Sequence, residues 1–98
     1  MTDQVTGTDN TVSAEVRVGN ELGLHARPAA KLAQEAQRFD CDIFLVSGDQ
    51  EVDAKSILDI LTLAAQHGGR MQIRATGQDA AEALQALTGL FKSRFGEE

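Results

Sequence analysis

Only one cysteine, Cys41, occurs among the 98 residues. That excludes a disulfide framework and a metal site built from several cysteines. No run approaches the ~18 consecutive apolar residues of a membrane-spanning helix. The opening Met1-Thr2-Asp3-Gln4 lacks the apolar centre of a secretory signal, so a cytoplasmic protein is expected. Basic residues are sparse. Nine Lys and Arg against fifteen Asp and Glu leave a formal net charge of −6, and no two basic residues are adjacent. Recognition of nucleic-acid phosphates, or of an anionic membrane surface, needs a concentrated positive patch, so neither is an expected partner. Repeats are absent.

What is present is ordinary for a water-soluble domain: 42% hydrophobic and 24% charged residues. A chain this short builds a single core. Residues 1–10, mostly Thr, Asp, Gly and Gln, read as a disordered tail. Residues 11–96 read as one folded domain.

Within that domain, Val12, Ala14, Val16 and Val18 alternate along a strand from Thr11 to Val18, while Ala29, Leu32, Ala33 and Ala36 fall at helical spacing. The first helix should run from about Ala26 to Arg38. The chain's single proline, Pro28, sits in its first turn, where no intrahelical N–H bond is lost. Asp42 to Ser47 predicts a short apolar strand, Gly48-Asp49 a hairpin turn and Gln50 to Asp53 the returning strand. Ser56 suits the N-cap of a second helix that reaches about His67 and stops at Gly68-Gly69. Arg70 to Ala75 alternates into a fourth strand. Asp79 with Glu82 has the form of a capping box before a third helix whose stripe is Ala80, Ala83, Leu84, Leu87 and Phe91. Gly96-Glu97-Glu98 reads as a frayed acidic end. The order β-α-β-β-α-β-α predicts an α+β fold of two layers, with helices on one face of a mainly antiparallel sheet. Strand order is invisible in the pattern, so a ferredoxin-like ligand-binding module stays open at this point.

The second helix has more hydrophobe than one core requires. Ile60, Leu63 and Ala64 share one arc, and Ile57, Leu58, Leu61 and Ala65 fill the next, together roughly 200° of the circumference. Either the helix is sunk between neighbours, or Ile57, Leu58 and Leu61 form an exposed docking patch.

The most informative stretch is Gly23-Leu24-His25-Ala26-Arg27-Pro28. His25 falls at a strand-to-helix switch, where the first helical N–H groups lack backbone partners and the helix dipole attracts anions. A neutral imidazole offers a nucleophilic ring nitrogen near pH 7. A phosphoryl group attached there would lie beside the amides of Ala26 and Arg27, with the Arg27 guanidinium two residues on to supply charge-assisted hydrogen bonds. Gly23 lets the backbone turn and leaves the ring accessible. Lys31, one turn further, reads as solvated surface or as an extension of this positive rim. His67 and Cys41 read as structural.

The block Asn20-Glu21-Leu22-Gly23-Leu24-His25-Ala26-Arg27-Pro28-Ala29-Ala30 closely resembles the phosphohistidine motif of the HPr family, phosphocarriers of the bacterial phosphoenolpyruvate-dependent phosphotransferase system. Val52-Asp53-Ala54-Lys55-Ser56-Ile57 is similar to that family's regulatory serine segment. The resemblance spans about Thr11 to Gly96. It implies three helices over a four-stranded antiparallel sheet in the order 1-4-2-3. It also implies a His25 that takes a phosphoryl group on Nδ1 from phosphorylated enzyme I and passes it to a histidine of an EIIA protein. The expected protein is thus a monomeric covalent carrier, needing partner enzymes for turnover and no metal or organic cofactor. The resemblance further implies Ser56 as a target of an HPr kinase/phosphorylase. Leu22 replaces the small polar residue common in sugar-transport members. With the Phe91-Lys92-Ser93-Arg94-Phe95-Gly96-Glu97-Glu98 ending, it looks more like the nitrogen-related, NPr-like branch. The rival reading within the family is a regulatory docking protein without phosphoryl relay.

Overall fold

A computed structural model describes residues 10–18, 24–66 and 69–96. The tail predicted over residues 1–10 lies outside them except for Asn10, as do Gly23, His67 and Gly68. Among the described residues, four strands and three helices follow one another: β1 (Thr11–Arg17), α1 (Ala26–Gln37), β2 (Asp42–Ser47), β3 (Gln50–Asp53), α2 (Ile57–Gln66), β4 (Arg70–Thr76) and α3 (Ala80–Lys92), then a short turn at Arg94–Gly96. The sheet is antiparallel in the order β1-β4-β2-β3. This is the 1-4-2-3 order of the resemblance, and the ferredoxin-like alternative falls with it. β4 fills the space between β1 and β2, with Thr76 opposite both Thr11 and Asp42.

Alternation decides which side of the sheet is covered. Val16, Ile43, Leu45, Met71, Ile73 and Ala75 are buried beneath the helices. Phe44 and Arg74, of opposite parity, share the open face, where the guanidinium lies 5.7 Å from the ring centroid and also pairs with Glu51. β2 therefore reads as a continuous apolar run although only half of it faces the core. Ala29, Ala33 and Ala36 of α1 are all fully buried, and this helix packs against α2 and α3. α3 buries Ala80, Ala83, Leu87 and Phe91, the predicted stripe, with Leu84 half-buried at its margin.

Asp79 does not form the predicted capping box. It occupies the N-cap position of α3 without a side-chain cap bond. Its carboxylate instead accepts the backbone N–H groups of Asp40 at 2.8 Å and Cys41 at 2.9 Å, tying the start of α3 to the turn before β2. Two N–H donors in that turn offer the carboxylate more than a local cap would. The hydrogen bond from Asp40 N–H, with further help from Cys41, holds the Asp79 carboxyl below the usual carboxylate range. Its contribution to stability is present above the ordinary aspartate value of about 3.9 and is lost as pH falls through the depressed folded-state value. Asp79→Asn should therefore flatten the acid side of a plot of Tm against pH between about pH 5 and pH 2. An unchanged slope would show that the carboxylate does not hold the turn. Beside it, burial and the neighbouring Asp79 raise the Cys41 thiol to about 11, in line with a structural, unreactive cysteine.

Of the predicted frayed end, Glu97 and Glu98 lie outside the described residues, and Gly96 closes a short turn after α3. Arg94 and Phe95 both adopt left-handed backbone angles, φ 55° and 56°, which are uncommon for side chains with a Cβ. The turn is held by what it buries: Phe95 is 2% exposed and meets Phe91 edge-on, centroids 4.9 Å apart. Lys31 Nζ donates to the Phe95 carbonyl at 2.6 Å. Lys31 is exposed, as the solvated-surface reading expects, and through this bond it also tethers α1 to the C-terminal turn.

Candidate functional site

His25 is the N-cap of α1, in extended conformation (φ −98°, ψ −166°). Leu24, 7% exposed, anchors the chain just before it. The His25 carbonyl accepts the Ala29 N–H at 3.0 Å, the first rung of the helix. Pro28, whose side chain is buried, has no N–H to offer. The first-turn donors that helix geometry leaves without a rung are therefore those of Ala26 and Arg27. The His25 side chain makes no cap bond to them, and the first turn carries no acidic residue. Nothing in that turn offsets the positive end of the helix dipole, about half an elementary charge. His25 is half-buried, and Arg27 beside it is exposed.

Such an arrangement suits a tetrahedral anion bonded to the imidazole. The ring supplies the attachment point, two amides supply directed donors, and the guanidinium can close over the outer oxygens. Of the predicted phosphate site, His25, Ala26 and Arg27 come together here. Gly23 belongs to the stretch outside the described residues.

Ser56 caps α2 as expected. Its Oγ accepts the Asp59 N–H at 3.2 Å, and its carbonyl accepts the Ile60 N–H at 3.0 Å. Sequence reading missed what fixes this corner. The Gln37 side-chain amide donates to the Lys55 carbonyl, and Lys55 Nζ donates to the Phe39 carbonyl, each at 2.8 Å. Those bonds set Ser56 beside the C-terminal end of α1. His25 is at the other end of a twelve-residue helix, which is about 18 Å long. The two predicted modification sites are therefore not one cluster.

Surplus hydrophobe on α2 is resolved residue by residue. Ile60 and Leu63 are fully buried, Leu58 is 76% exposed and Ile57 39%. Leu61 is half-buried and packs against the core, which corrects its place in an open docking patch. Leu58 is the apolar residue that projects, with Ile57 at its edge. Among the described residues, no group of three or more His, Cys, Asp and Glu is placed to hold a metal ion. No helix there is long and apolar enough to cross a membrane.

This geometry can be set beside known proteins. The family described as PTS-HPr, PTS HPr component phosphorylation site, matches residues 12–93. The phosphocarrier protein HPr of Xylella fastidiosa is 44% identical over 84 residues, covering 86% of this chain and 94% of that protein. The phosphocarrier protein NPr of Escherichia coli is 39% identical over 89 residues, covering 90% and 99%. Among solved structures, HPr-C-His from Thermoanaerobacter tengcongensis superposes with a TM-score of 0.83 at 39% identity, over 89% of this chain and 98% of that one. With a matching family spanning most of the domain, relatives of both names and the same sheet order, the chain belongs to the HPr family of phosphocarrier proteins, in keeping with its NPr-like branch.

Proposed function

We propose that this chain relays phosphoryl groups on His25, taking them from phosphorylated enzyme I or its nitrogen-branch paralogue and giving them to an EIIA histidine. One observation carries the reading: an imidazole at the N-cap of α1 that makes no side-chain cap bond, with Arg27 adjacent and no acidic residue in the first turn. In the forward step a ring nitrogen of His25 attacks the phosphorus. A new N–P bond forms as the donor's bond to phosphorus breaks, and the donor atom leaves with the electron pair. No metal or organic cofactor is needed, because transfer rests on positioning and charge that both partners supply. A helix end is worth about 0.3–1 kcal/mol to an exposed anion. So weak a hold suits a carrier, since a deeply stabilised phosphohistidine would not pass its cargo on.

Incubation with cognate enzyme I and phosphoenolpyruvate should add the mass of one phosphoryl group, labile to acid and mapping to the segment that holds His25. No mass gain, or a label mapping to His67, would sink the relay and leave regulatory docking as the better reading.

Donor docking uses Leu58 and the edge of Ile57, and Ser56 phosphorylation regulates it by placing a charge of about −2 on that face. With about 18 Å of helix between them, a phosphate on Ser56 acts through the docked partner rather than on the His25 ring. Leu58→Asp should weaken enzyme I binding by more than about tenfold, ~1.4 kcal/mol, without moving the thermal midpoint. Leu61→Asp, by contrast, should lower the midpoint because it charges a core-packed position. Equal binding losses with equal stability losses would mean that α2 has no separate docking residue. The protein works as a cytoplasmic monomer in this scheme.

A further inference from the structure

We propose that the groove between β1 and α3 binds an extended, acidic peptide segment of a partner protein, which adds to β1 as a fifth strand. β1 is an edge strand, and among the described residues no strand lies on its outer side. The β1–β4 hydrogen bonds fix which of its backbone groups are spent. Gly77 N–H donates to the Asn10 carbonyl and Val18 N–H to the Gly69 carbonyl. Residues of that parity turn their amides towards β4, so Ser13, Glu15 and Arg17 turn theirs outward. An unpaired row of this kind is a template for strand addition.

Above the row runs a groove of about 580 Å³, walled by Val16 on one side and by Leu84, Thr88 and Phe91 on the other. Every second side chain of an added strand would drop into it. The rim selects the sign of what binds. Arg17, Lys92 and Arg94 line it, all exposed, against a single carboxylate, Glu15. Glu15 itself faces Arg70 at 3.5 Å. On a chain of net charge −6, this is a local excess of positive charge matched to an acidic strand. α3 packs over β1 and α2 over β3, at opposite edges of the sheet, so a partner here does not compete for Leu58. The inference stands independently of the phosphoryl relay.

The test is a titration of the full-length, 15N-labelled chain with an end-blocked octapeptide of alternating glutamate and valine. Saturable amide shifts confined to β1 and α3 are expected, with slowed hydrogen exchange at Glu15 and Arg17. Binding should weaken at least tenfold in an Arg17→Glu, Lys92→Glu double variant whose core resonances are unchanged. Shifts centred on α2, indifference to the charge reversal, or equal binding of a backbone N-methylated octapeptide would each overturn the proposal. Glutamate alone giving the same shifts would make this a small-anion site instead. Glu15 and Arg17 amides already protected in the free chain would also overturn it: protection that fades on dilution means a second copy fills the groove, and protection that persists means the chain's own first nine residues do.

Discussion

Replacement of His25 by alanine or asparagine is expected to abolish phosphoryl uptake while leaving the fold intact. The reacting atom is a ring nitrogen, and neither replacement supplies a nucleophile in its place. Structural consequences run the other way. The first rung of α1 uses the backbone carbonyl of residue 25, not its side chain, and the imidazole makes no cap bond. Asparagine is among the best N-cap residues, worth about 1 kcal/mol over a side chain that does not cap. His25→Asn should therefore keep the start of α1 capped and the domain folded while phosphoryl uptake falls to nothing, a separation of folding from function expected at a site kept for chemistry. Intact-mass measurement under neutral conditions, paired with thermal melts, checks both halves. Residual uptake in either variant would assign the phosphate to another residue. A midpoint several degrees lower in the asparagine variant would mean the imidazole was holding the loop rather than awaiting a donor.

Much of this site was readable in advance because its determinants are local. A strand ending near Val18, a helix starting at Ala26 and a histidine between them are all set by periodicities within about ten residues. The hairpin at Gly48-Asp49 and the strand at Arg70 were legible for the same reason. What escaped depends on residues far apart in the chain. Asp79 and Glu82 carry a capping signature, yet the Asp79 carboxylate is taken by amides 39 and 38 positions away. Lys31 reaches a carbonyl 64 positions away. Phe95 did leave a trace, since Leu87, Phe91 and Phe95 recur every fourth residue. The chain keeps that burial after the helix has ended, by passing Arg94 and Phe95 through left-handed angles. Leu58 and Leu61 lie on one arc of α2, and helical spacing alone cannot say which side of that arc the neighbouring elements cover. Packing of α2 against α1 and β3 divides them, leaving Leu58 out and Leu61 half in.

The largest structural effect is expected at Gly77, remote from any predicted chemistry. Its φ is +142°, a region that side chains rarely enter, and a Cβ built there would lie 2.8 Å from the Cys41 Cβ and 3.0 Å from the Cys41 Cα. Two penalties combine: backbone strain of about 1–3 kcal/mol and overpacking against a buried neighbour of similar size. Gly77→Ala should thus cost about 3 kcal/mol or more, lowering the midpoint by more than about 10 °C in a domain of this length. The close approach is also what lets Asp79, two residues on, reach the amides of Asp40 and Cys41, so the substitution should weaken that tie as well. Cys41→Gly in the same chain removes the Cβ contact but neither the contact with the residue 41 Cα nor the strain. The double variant should therefore recover part of the loss and no more, which a double-mutant cycle reads directly. Full recovery would mean that contact alone requires glycine here, and no recovery that the backbone angle alone does. At temperatures where Gly77→Ala stays folded, phosphoryl uptake on His25 should be unchanged, because the strained corner lies at the C-terminal end of α1 and the imidazole at its N-terminal end.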